Sequence, residues 1–227
     1  KPVHAISSFY SIYNNIGEIF DPTNKDFVIK SQCIKTLEMI KIISDFLPKE
    51  CLFMDPIDTA EAMSQSDSIS YCPYLYGFSN YSRDGFRKNI LFYNDVMDLS
   101  GRGPVGTHLG GTGIAVSNKS KNIDCAIEYA YWIAGSECQK NIYYENEGQP
   151  GNAVAWEDGK INKETNNFFY NTRKTLEKSW VRPKHNGYMN FQDEGGNIIN
   201  EYLNKHTDEV KIYEKLQSQF KKSFKDE

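Results

Sequence analysis

Apolar positions recur along this chain mostly at steps of three and four, the period of a half-buried helix. Phe9, Ile12, Tyr13 and Ile16 share one face of a helix opened by Ser7 or Ser8 and ended by Gly17. Before it, Pro2 predicts an extended residues 1–5. Ser31 opens a longer helix with Ile34, Leu37, Ile40, Ile43 and Leu47 in register, stopped by Pro48. Asp55-Pro56 reads as an N-cap followed by proline in the first turn, leading a short helix over 57–64. Asn122 caps the strongest helix, with Ala126, Ile127, Ala130, Ile133 and Ala134 inward and Gly135 at its end. Ser136-x-x-Gln139 is a capping box for the next one. Thr165 opens another, aligning Phe169, Leu176 and Trp180 and halted by Pro183. After an irregular 186–192 come two terminal helices, the second capped by Thr207 with Val210, Tyr213, Leu216 and Phe220 inward.

Short β-prone runs interrupt this rhythm. Residues 27–29 and 90–93 read as strands, and from Asp67 onward Ile69 and Tyr71 alternate with Ser68 and Ser70. Residues 105–117 read as strand, glycine turn, strand, with Gly110, Gly111 and Gly113 supplying the turn and 114–116 the second strand. Helices alternating with short strands predict an α/β or α+β domain. The glycines permit close approach of backbone to a ligand or to another strand. A phosphate loop is disfavoured, because it needs a helix directly after the glycines and a strand is read there.

Composition narrows the class. The 227 residues are 39% hydrophobic and 25% charged with a formal charge of −4, values of a soluble globular protein without a basic face for nucleic acid. No apolar run is long enough to span a membrane. The chain begins at Lys1 with neither an initiator Met nor a signal peptide, as expected of a processed product or a piece of a longer protein. Five cysteines without metal-ligand spacing are expected to serve as small hydrophobes. Fifteen Tyr, thirteen Phe and three Trp supply flat apolar faces with polar rims, for cores or for ligands.

Catalytic patterns are sparse. His4, His108, His185 and His206 stand far apart; His206 reads as solvated, while His4 and His108 adjoin possible strand ends where a site can lie. Neither a His-Glu-x-x-His nor a Gly-x-Ser-x-Gly pattern occurs. Neither a metal nor a cofactor is predicted.

The order of motifs carries a resemblance: Glu61-Ala-Met63, then the aromatic loop at 71–76, the glycine stretch at 109–117, the helix at 124–134, Ser136-Glu-Cys-Gln139, Gly148-Gln-Pro150 and Trp180-Val-Arg-Pro183 before two helices. The chain resembles the carboxy-terminal part of an extracellular solute-binding protein of an ABC importer, of the maltose-binding type (family 1). The resemblance implies an α/β fold, periplasmic-binding-protein-like II, with two lobes joined by a hinge that the chain crosses several times. Residues 1–108 and 160–227 would form the second lobe, residues 109–159 would belong to a first lobe mostly missing, and the crossover would lie at 105–113. A small polar solute, a sugar or carboxylated compound, would sit in the interlobe cleft. By position its contacts would be Tyr74 and Tyr76, the glycine loop Gly110, Gly111 and Thr112, and the late aromatics Tyr188 and Phe191; His4, beside a possible strand end, is a further candidate ligand contact. Arg182 either meets an anionic group bidentately or ties two loops together. The implied partners are ABC permease subunits, with a periplasmic or extracellular, bacterial location and peripheral or lipid-anchored membrane association through a missing amino-terminal segment. An enzyme with a sparse acid–base site and a structural fragment are the competing readings.

Overall fold

The computed structural model describes residues 1–205 and 207–224, so the expectation for His206 lies outside the described residues. Among the described residues the protein is all-α, with ten α-helices and no sheet. This overturns the expected α/β, periplasmic-binding-protein-like architecture. The helices are α1 (Pro2–Ile16), α2 (Lys30–Asp45), α3 (Pro56–Gln65), α4 (Ile123–Ala134), α5 (Ser136–Cys138), α6 (Ala153–Trp156), α7 (Gly159–Glu164), α8 (Phe168–Glu177), α9 (Tyr188–Lys205) and α10 (Glu209–Ser223).

The physical reason lies in where the expected strands send their backbone groups. Leu91 N–H donates to the Tyr81 carbonyl and Ser82 Oγ to the Leu91 carbonyl, so 90–93 is pinned to a neighbouring turn and not to a strand. Residues 105–109 are held by α1: Asn15 Nδ2 donates to the Val105 carbonyl, Asn14 Nδ2 to the Gly106 carbonyl, and Ser11 Oγ accepts from His108 N–H. The same run also meets 178–180, with Gly106 and Leu109 N–H donating to the Lys178 and Trp180 carbonyls and Trp180 N–H to the Thr107 carbonyl, but this pairing amounts to a single bridge, His108 with Trp180. Alternating side chains mark a chain segment with two faces; they do not supply the second strand that a sheet requires.

By its contacts the chain divides into two compact units. Unit 1 comprises Lys1–Thr59, Val96–Leu109 and Lys174–Glu227; unit 2 comprises Ala60–Asp95 and Gly110–Arg173.

Unit 1 is a helical cluster around α1. Pro2 opens α1 instead of opposing it, since the first-turn N–H that proline lacks has no intrahelical partner anyway. Phe9, Tyr10 and Tyr13 enter a ring cluster with Phe20, Phe27, Trp180, Phe191 and Phe220, all at most 5% exposed. The ring centroids of Tyr10 and Trp180 are 4.6 Å apart, those of Phe191 and Phe220 5.0 Å. Each such side chain contributes about 1.5–3 kcal/mol by burial. Helix α9 lies tight against α1 because Gly195 and Gly196 present no Cβ there: a Cβ on Gly195 would stand 2.7 Å from Ile6 Cδ1, and one on Gly196 would strike the Pro2 carbonyl. α9 begins at Tyr188, in the run expected to be irregular, and α10 is capped by Asp208, not Thr207.

Unit 2 has two small cores. One gathers Tyr144, Ala155, Trp156, Ile161, Phe168 and Phe169; the other gathers Ala60, Tyr81 and Leu91, and Tyr93 packs against both. Arg87 grips Glu61 with Nε and Nη2 at 2.7–3.0 Å, and Tyr81 donates its hydroxyl to the same carboxylate at 2.7 Å. Arg87 first, then Gln65 and Tyr81, hold the Glu61 carboxyl at about 2. Helix α4 forms where the apolar period put it, yet none of its residues is buried.

Candidate functional site

The sequence-derived site residues fall into two groups. Those in unit 1 are structural. Tyr188 and Phe191 are each 2% exposed on α9, packed against His185 and Phe220, and offer no face to a ligand. Arg182 donates Nη1 to Oε1 of the buried Gln192 at 2.8 Å, tying its loop to α9. His4 lies half-buried on α1, its pKa lowered first by burial and then by the nearby amino terminus. His108 is buried with Nδ1 2.9 Å from Ser7 Oγ; burial, with Arg182 adding to it, pushes its pKa down to about 4, so it is neutral at physiological pH.

Those in unit 2 gather at the surface. The aromatic loop after Pro73 is held by the Gly148-Gln-Pro150 turn: Gln149 Oε1 accepts from Ser79 N–H at 2.7 Å, and Nε2 donates to the Gly77 carbonyl at 3.2 Å. Phe168 fills the space beside Gly77 that a side chain would take, with a Cβ there only 2.9 Å from its ring. The clamp leaves Tyr76 lying across Gly110; a Cβ on Gly110 would be 2.7 Å from Tyr76 Cε1. Gly111 and Thr112 follow uncovered, with nothing within 4 Å of a Cβ built on Gly111. Tyr74 turns its hydroxyl inward, where burial pushes it up to about 12 and it finds no hydrogen-bond partner among the described residues. Thus Tyr76, Gly110, Gly111 and Thr112 form one surface, a flat ring beside bare backbone amides.

Sequence reasoning missed a second feature. Tyr129 and Trp132 of α4, with Ile142 and Tyr143 of the following single-turn π-helix, line an open apolar depression of about 220 Å³. Trp132 and Tyr129 remain 47% and 52% exposed. The signal was present: Tyr129, Tyr131 and Trp132 add apolar bulk outside the stripe defined by Ala126, Ile127, Ala130 and Ile133, so α4 is apolar on more than one face. A π-turn of this kind is a frequent mark of functional positions.

Among the described residues no group of three or more His, Cys, Asp or Glu side chains is placed to hold a metal ion. Cys33 and Cys138 are buried as expected of small hydrophobes, whereas Cys125 is exposed on α4. No helix among the described residues is long and apolar enough to cross a membrane. No protein-family model matches the chain, and no curated protein matches it.

Proposed function

We propose that this chain binds a small polar solute, a sugar or a carboxylated compound of similar size, and delivers it to the permease of an ABC importer in a bacterial periplasmic or extracellular setting. The reading takes nothing from the α/β lobes that the resemblance implied, which the all-α fold replaces. The observation that carries it is Tyr76 stretched across Gly110 next to the uncovered Gly111 and Thr112. A tyrosine ring accepts the apolar face of a small polar ring, and bare N–H groups take hydroxyl or carboxylate oxygens.

The test is a thermal-shift screen against monosaccharides, disaccharides and small carboxylates, followed by calorimetric titration. A bound solute raises the midpoint by mass action. Tyr76→Ala then weakens binding by roughly 1–3 kcal/mol, the scale of a lost stacked ring, while the unliganded midpoint stays put. A screen without any shift, or equal affinities for wild type and variant, contradicts the proposal.

A further inference from the structure

The segment from Gly113 to Ser117 and helix α4 share a defect that one kind of partner removes. No helix or turn takes up 111–116, and no left-handed residue interrupts it. Among the described residues, no backbone N–H of 111–117 and no carbonyl of 110–116 makes a hydrogen bond. The stretch is uncharged, free of proline and β-prone at Ile114 and Val116, with Ile114 half exposed. A short polar connector leads into α4, whose Ile123, Ile127 and Trp132 are 40–47% exposed. A strand candidate without its ladder, followed directly by an apolar helix without its cover, is half of a β–α unit.

We infer that residues 113–134 dock on another polypeptide that presents an open β-sheet edge, with 113–117 adding as a strand and α4 covering the adjacent apolar sheet face. The unpaired backbone selects this occupant. A partner helix has already spent its N–H and C=O groups internally, and lipid offers none. A second copy of this chain offers only another lone segment, and a two-stranded ribbon is marginal by itself. A sheet edge supplies the donors, the acceptors and the apolar face together. This inference is independent of the solute-binding reading, which uses Gly110, Gly111, Thr112 and Tyr76.

The experiment places photoreactive benzoylphenylalanine at Ile127 in the full chain, expressed in its source cells, and maps the cross-linked residues by mass spectrometry. The expected product joins Ile127 to one polypeptide, at a residue on the apolar face of a sheet next to its edge strand. Proline scanning then reads the ladder. Because a strand paired on one side uses every second N–H, either Ile114→Pro with Val116→Pro or Gly113→Pro with Ala115→Pro lowers cross-linking by about tenfold, and the other pair much less. All variants keep the wild-type far-ultraviolet circular dichroism, since the segment is uncovered in the folded chain. Cross-links to lipid, to a second copy of this chain or to a partner helix overturn the inference. So do an absence of cross-links and an equal effect of the two proline sets.

Discussion

Helices α1 and α4 carry comparable apolar patterns and meet opposite fates. Nine of the fifteen residues of α1 are buried, including Asn14 and Asn15, whereas none of the twelve residues of α4 is. α1 lies among α2, α9 and the ring cluster around Phe220, all supplied by unit 1 itself. α4 carries only Asp124 and Glu128 as charges and still presents Ile123, Ile127, Tyr129, Tyr131 and Trp132 to solvent. An apolar stripe states that a surface gains by being covered, about 25 cal/mol for each Å² removed from water, but does not say what covers it. In unit 1 the chain answers that demand itself. On α4 it leaves the demand open.

The comparison breaks most readily at the ring cluster. Phe220→Ala removes a fully buried ring that contacts Phe20, Phe27 and Phe191. Chemical denaturation should show a loss of about 3–5 kcal/mol, the range for aromatic-to-alanine changes in a packed core. A loss under 1 kcal/mol would mean that unit 1 is not the self-sufficient half.

Next in size comes acid. His108 has a folded pKa of about 4 against an unfolded value near 6.5, because burial penalises its charged form. The unfolded chain therefore binds the extra proton as pH falls through 6.5, and stability drops between about pH 6.5 and 4, on the order of 3 kcal/mol. Denaturation midpoints across that window, compared with those of His108→Gln, isolate this part; identical slopes in the two proteins would remove it.

A smaller effect belongs to the polar end of α1. Asn14 gives Nδ2 to the Gly106 carbonyl and takes Phe20 N–H on Oδ1, both inside the protein. Asn14→Ala leaves two buried backbone groups unpaired and should cost about 1–3 kcal/mol, read from the same denaturation curves. An unchanged midpoint would show that these bonds do not hold the 105–109 run.

The smallest effect sharpens the contrast. Trp132→Ser on α4 should shift stability by under about 0.5 kcal/mol, as exposed substitutions do, despite removing the largest type of apolar side chain. A loss comparable to that of Phe220→Ala would mean that α4 is covered after all.

Much of the helical content was legible because its signals are local. Asp55-Pro56 announces α3, and Asp55 Oδ1 accepts from both Ile57 and Asp58 N–H as a cap should. The three-to-four spacing of Leu37 and Ile40 finds the buried side of α2. What failed depends on distant residues. The 105–109 run looks like a strand, and only the fold reveals that its backbone pairing with 178–180 stops at one bridge, while Asn14, Asn15 and Ser11 of α1 take further groups of the run. Trp180 looks like the end of a helix, but α8 stops at Glu177 and the indole N–H donates to the Phe20 carbonyl. At the candidate site, Tyr76 and Gly110 were legible as separate candidates. Their contact was not, because it depends on Gln149 clamping the intervening loop.

The contrast between covered and uncovered helices is tested most directly by residue-resolved hydrogen exchange on the isolated chain. Slow exchange across α1, α9 and α10 is expected, with amides of 111–117 exchanging at the rate of unstructured chain and α4 protected far less than α1. Protection of 113–117 and α4 equal to that of α1 in the isolated chain would contradict the account.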